Sequence, residues 1–101
     1  MIKKTILGLA LVSTTSLFAH TAVMSCFDNG DNTITCEGGF SDGSSASGVK
    51  FTLEQKGQIV LNTRLSEDSD ITFDKLKDEF TVVFSAGEGH KISINSSDIT
   101  E

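Results

Sequence analysis

The chain has 101 residues, eight basic and fourteen acidic, a formal net charge of −6, seven Phe, and no Tyr, Trp or Pro. That length supports one small domain. An acidic chain with no basic patch argues against nucleic acid and against an anionic membrane surface as partners, while cations or basic partners suit it. Plain solubility of a secreted surface accounts for the same charge without any partner.

In chain order, Lys3-Lys4 precedes an apolar run from Ile6 to Leu17, and Leu17-Phe18-Ala19 offers a small-residue cleavage site. This pattern predicts a secretory signal peptide over residues 1–19, too short and wrongly flanked for a membrane span. The domain is then residues 20–101, periplasmic or secreted, with no stable membrane span. Lys3 and Lys4 leave with the signal, so six basic residues remain against fourteen acidic ones, a net charge of −8. Cleavage after Ala19 makes His20 the first residue.

Beyond the signal, period-two alternation dominates and no stretch has convincing helical periodicity. Val49, Phe51 and Leu53 alternate with polar neighbours, as do Phe80, Val82 and Phe84, and then Ile92 and Ile94. Together with 22–27, 33–40, 58–64 and 71–73 these give seven short strands. Lys56-Gly57 marks a tight hairpin between the third and fourth. Residues 74–79 have room for one helical turn at most. With no Pro, the turns rely on Gly, Asn, Asp and Ser. The expected fold is all-β: a seven-stranded antiparallel β-sandwich of immunoglobulin-like or transthyretin-like type. Phe51, Leu53, Phe80, Val82 and Phe84 are its predicted core.

Cys26 and Cys36, the only cysteines, flank a turn-rich stretch between two β-like runs. In an oxidising compartment this reads as a disulfide across a hairpin, a staple worth about 2–4 kcal/mol to a marginal core. Two other readings stand beside it. One is a metal pair, although the spacing is unlike the usual C-x₂₋₄-C. The other is lipid attachment at Cys26, where Val23-Met24-Ser25-Cys26 loosely resembles a lipobox.

If successive strands reverse direction, the connections alternate between the two ends. The N-terminus, the 41–48 loop, the 65–70 loop and Gly87-Glu88-Gly89-His90 then share one end, which places His20 and His90, the only histidines, together there. The His20 α-amine and imidazole form a ready chelate, with His90 as a third nitrogen and Glu88 or Asp68 as oxygen ligands. Such a set suits Cu²⁺ or Ni²⁺, copper binding the tighter. The plainer readings are a tolerated residue after the cleavage site for His20 and a backbone-bonded loop residue for His90. The Gly-Ser run 38–48 lacks the Lys-Ser/Thr and helix of a phosphate loop, so it reads as a flexible connection between sheets. Asp28-Asn29-Gly30-Asp31-Asn32 misses the spacing of a calcium loop and reads as a turn. No Gly-x-Ser-x-Gly elbow or other recognisable catalytic motif appears, which points away from an enzyme.

Two longer runs carry a resemblance. Residues 36–51, CEGGFSDGSSASGVKF, resemble the opening of carboxypeptidase-regulatory-like sandwich domains, where a strand leads through a polar Gly loop into a Gly-Val-x-Val strand. Residues 80–90, FTVVFSAGEGH, are similar to the ending of small periplasmic accessory proteins of bacterial nickel/cobalt uptake transporters, in which an Ala-His pair commonly closes the signal. Glu88 stands where that family often carries proline. The resemblance implies that His20 and His90 occupy its histidine positions, that Ni²⁺ or Co²⁺ is handled, and that a membrane metal transporter is the partner. The expected function is therefore a non-enzymatic accessory protein binding or presenting a divalent transition metal (nickel or cobalt, with copper as a further cofactor). The alternatives are a metal-free sandwich module that takes a protein or glycan through its loops, and, behind it, a regulatory domain of an enzyme.

Overall fold

The computed structural model describes residues 21–87 and 90–101. The predicted signal, its cleavage point, His20 and Glu88 lie outside them. Seven antiparallel strands follow in the predicted order: β1 (Ala22–Asp28), β2 (Thr33–Phe40), β3 (Lys50–Gln55), β4 (Gln58–Arg64), β5 (Asp70–Asp74), β6 (Thr81–Ser85) and β7 (Lys91–Asn95). They form two sheets, β1-β2-β5 and β4-β3-β6-β7. The predicted β-sandwich is thus the observed architecture.

Three hairpins are local and three connections cross between sheets. Lys56 and Gly57 both have positive φ, 51° and 78°, so the β3–β4 loop has the two-residue geometry whose twist matches its flanking strands. That turn keeps β4 on the sheet of β3. A register shift between Leu53 and Glu54 leaves Val60 unpaired, a bulge in this edge strand. No helix forms over residues 74–79; among the described residues the single helical turn is instead a 3₁₀ segment, Ser96–Asp98, which has no sequence periodicity to announce it. It is held where Ser96 exchanges hydrogen bonds with the Phe80 backbone, 2.8 Å and 3.1 Å.

The inward residues make one core. Phe51, Leu53, Phe80, Val82 and Phe84 are all buried, as the alternation predicts. From the opposite sheet come Ile34, Cys36 and Phe73, and rings from both sheets meet: Phe51–Phe73 at 5.7 Å between centroids and Phe73–Phe80 at 6.1 Å, edge to face. Thr52 and Val83 are also buried although they point outward, because they sit on the two central strands among flanking side chains. Ala46 and Leu65 enter the core from loops.

Cys26 and Cys36 face each other in the β1–β2 ladder and form a disulfide. Both sulfurs are therefore engaged with each other, which removes them as metal ligands and leaves no Cys26 thiol for a lipid in this state. Among the described residues no helix is long and apolar enough to cross a membrane.

Candidate functional site

The alternation of loop ends holds, and it builds a stitched surface at the end where β1 begins. Thr21 and Ser41 exchange hydrogen bonds: the Ser41 N–H donates to the Thr21 carbonyl (2.8 Å) and the Thr21 N–H to Ser41 Oγ (3.1 Å). The β2–β3 connection is pinned rather than slack, a departure from the flexible tether its Gly-Ser composition predicts. Ser69 does most of the pinning. Its carbonyl accepts from the Gly38 N–H (2.8 Å), and its Oγ accepts from the Ala46 N–H (2.9 Å) and meets Ser45 Oγ (3.0 Å). The Gly48 N–H donates to the Leu65 carbonyl, and the Leu65 N–H to the Val49 carbonyl. Burial of Ala46 supplies the apolar anchor that a loop of small polar residues otherwise lacks.

Gly38 has its own reason to be glycine. A Cβ there would lie 2.9 Å from Leu65 Cδ1 and 3.1 Å from Phe84 Cε1, so the backbone passes too close to the core for a side chain. Gly39, next to it, faces open contacts only.

His90 closes the β6–β7 turn. Its N–H donates to the Gly87 carbonyl (3.1 Å) and its carbonyl accepts from the Ala86 N–H (2.9 Å). It is half-buried and lies at the same end as Thr21, Ser41 and Ser69. Asp68 is exposed in the 65–70 loop, its N–H bonded to Ser66 Oγ at 3.1 Å. Of the four residues predicted to ligate a metal, the fold therefore brings His90 and Asp68 to one end, while His20 and Glu88 lie outside the described residues. Among the described residues no group of three His, Cys, Asp or Glu side chains could hold an ion.

The opposite end contains the acidic turn, and it is a turn. Asp28 Oδ1 accepts from the Gly30 N–H (2.9 Å), Asp31 Oδ1 accepts from the Thr33 N–H (3.1 Å), and Lys75 pairs with Asp28 Oδ2 at 2.7 Å. The Lys75 hydrogen bond first, and the Gly30 N–H second, hold the Asp28 carboxyl below its ordinary value of 3.8. A depression of about 430 Å³ is also at this end, lined by Glu54, Lys56, Glu79, Phe80, Thr81, Asn95 and the 3₁₀ turn. It is open, polar and remote from His90.

One grouping is absent from any local reading. Strand register sets Arg64 beside Lys50, Lys50 beside Ser85, and Ser85 beside Lys91. The three cations lie far apart in sequence but form a single row on the outer face of the four-stranded sheet, so the chain does carry a basic patch. The signal for it is parity: each occupies the outward position nearest the same end of its strand.

Compared with known proteins, the chain matches no family model, no curated protein and no solved structure.

Proposed function

We propose that this chain is an exported, periplasmic, non-enzymatic accessory protein that binds or presents a divalent transition metal at the loop-bearing end of its sandwich, for delivery to a membrane transporter. The observation that carries this reading is the pinning of Thr21 to Ser41 at the end where His90 closes the β6–β7 turn. A chain that begins at His20 has its amine and imidazole one residue from that anchor. Nitrogen ligands of this kind favour Ni²⁺ and Cu²⁺. The acidic balance of the chain raises the local concentration of cations around it. The disulfide suits an oxidising compartment.

The test is calorimetric titration of Ni²⁺, Co²⁺ and Cu²⁺ into three proteins: residues 20–101 with a free His20 amine, the same chain extended by one N-terminal alanine, and His90→Ala. Extension turns the amine into an amide and removes the chelate; His90→Ala removes a ligand outside the core. Each change should weaken binding, and affinity should fall with pH because protons compete for the same nitrogens. Equal binding by all three, or none tighter than about 1 mM, rejects the metal site. In that event the metal-free module is the better reading, because the same loops form a hydrogen-bonded surface that needs no ion to hold it together.

A further inference from the structure

We propose that the outer face of the four-stranded sheet is a docking surface for an acidic polysaccharide, whose carboxylates pair with Arg64, Lys50 and Lys91. This goes beyond the metal reading and uses a different surface. Beyond residue 20 the chain has six cations: Lys50, Lys56, Arg64, Lys75, Lys77 and Lys91. Three of them share one row across β4, β3, β6 and β7, with Ser85 as the fourth member. Adjacent strands lie about 4.8 Å apart, so the row spans roughly 14 Å, with cations at its first, second and fourth places. All three cations are exposed.

Like charges on neighbouring strands repel, which makes this row unfavourable unless an anion joins it. The chain has fourteen carboxylates, yet among the described residues none stands in this row. The next outward row reads Asn62, Thr52, Val83 and Ser93, and the first carboxylate on the face is Glu54, one row further on. The Lys75–Asp28 ion pair lies at the other end of the sandwich. Arg64 donates one hydrogen bond, to the Gly48 carbonyl at 3.0 Å, which steadies the guanidinium while leaving its other donors open. A depression of about 310 Å³ lies between Lys50, Asn62, Thr63 and Arg64.

The rest of the face selects the occupant. Hydroxyls and an amide from Ser85, Ser93 and Asn62 give donors and acceptors suited to sugar hydroxyls. Among the described residues no aromatic side chain stands on this face, so nucleic-acid bases have no stacking platform there. A linear chain with a carboxylate on successive rings can follow cations one and two strand spacings apart, with Arg64 engaging a carboxylate through two parallel bonds.

The experiment is an NMR titration of ¹⁵N-labelled residues 20–101 with oligogalacturonate at low ionic strength. Amide shifts should concentrate on Lys50, Arg64, Ser85 and Lys91 and fade as salt is added. The triple variant Lys50→Gln/Arg64→Gln/Lys91→Gln should bind at least tenfold more weakly, each single variant in part, and Lys56→Gln/Lys77→Gln as the wild type does. Neutral dextran oligosaccharide should shift nothing. Absence of shifts, shifts confined to the loops, or equal loss in the Lys56→Gln/Lys77→Gln control overturns the proposal. An equal response to polyglutamate, to a single-stranded oligonucleotide or to phosphatidylglycerol vesicles overturns it too, by making the row a general anion patch.

Discussion

Cys26 and Cys36 stand directly opposite each other on β1 and β2, their Cα atoms 4.0 Å apart, and join an edge strand to its neighbour through the core side of the sheet. β1 pairs with β2 alone along its length, apart from one parallel bridge to the C-terminal tail, where the Asp28 N–H donates to the Thr100 carbonyl at 3.0 Å. The bond therefore ties down an edge strand, the one that leads from Thr21.

Removing the disulfide as Cys26→Ala/Cys36→Ala should destabilise residues 20–101 by about 3 kcal/mol, the chain-entropy value for a loop of this size. The sequence separation it closes is 10. Urea unfolding of oxidised wild type and the double variant measures the difference. Mass spectrometry without reductant should find the exported protein two hydrogens lighter than its dithiol form; two free thiols there would contradict the pairing.

Phe84 is completely buried and its ring lies 6.4 Å from that of Phe40 across the sandwich. Phe84→Ala should cost about 3–5 kcal/mol, the usual range for a cavity left by phenylalanine. Val60→Ala, on the exposed bulge of β4, should cost no more than about 0.5 kcal/mol. Similar melting temperatures for the two variants would reject the assignment of inward and outward faces.

Gly38→Ala tests the close approach rather than any special backbone angle. The added methyl must push on the Leu65 side chain and the Phe84 ring, an overpacking that typically costs about 1–3 kcal/mol. Gly39→Ala, with no contact closer than 3.9 Å, should cost less. Equal effects at the two neighbouring glycines would show that chain flexibility, not packing, explains the pair.

Asp28 makes stability depend on pH in a defined direction. Its folded-state value is depressed, chiefly by Lys75, so its contribution is present above the ordinary carboxylate range and is lost as pH falls through the lower folded value. The stability gap between wild type and Asp28→Asn should be widest near neutral pH and close below about pH 4. High salt should narrow it as well, since Lys75 is half exposed. A gap that is unchanged by acid would remove the ion pair as its cause.

Most of the strand plan is local and was open to reading. Alternation at Phe51-Thr52-Leu53 and Val82-Val83-Phe84 reports inward and outward faces because side chains in a strand alternate sides. The Cys26–Cys36 pairing is also near-local, since a hairpin sets the register across its own turn. The candidate metal residues illustrate the limit: parity of strand direction brings His90 and Asp68 to one end, but parity alone says nothing of distance. Ala46, Leu65 and Ser69 were missed as organising residues because their partners are remote in sequence and their own neighbourhoods read as loop.

By itself the sequence determined the strands, their faces, the disulfide hairpin and the end at which each loop emerges, all of which follow from period-two patterning and turn chemistry within a few residues. Only the tertiary structure decided which strands share a sheet, that the Gly-Ser loop is pinned by Ser69, and that Arg64, Lys50 and Lys91 form one row. The physical reason is that pairing between distant strands depends on how two whole faces pack. That packing puts residues 50, 64 and 91 side by side through the register of three separate ladders, none of which any single segment encodes.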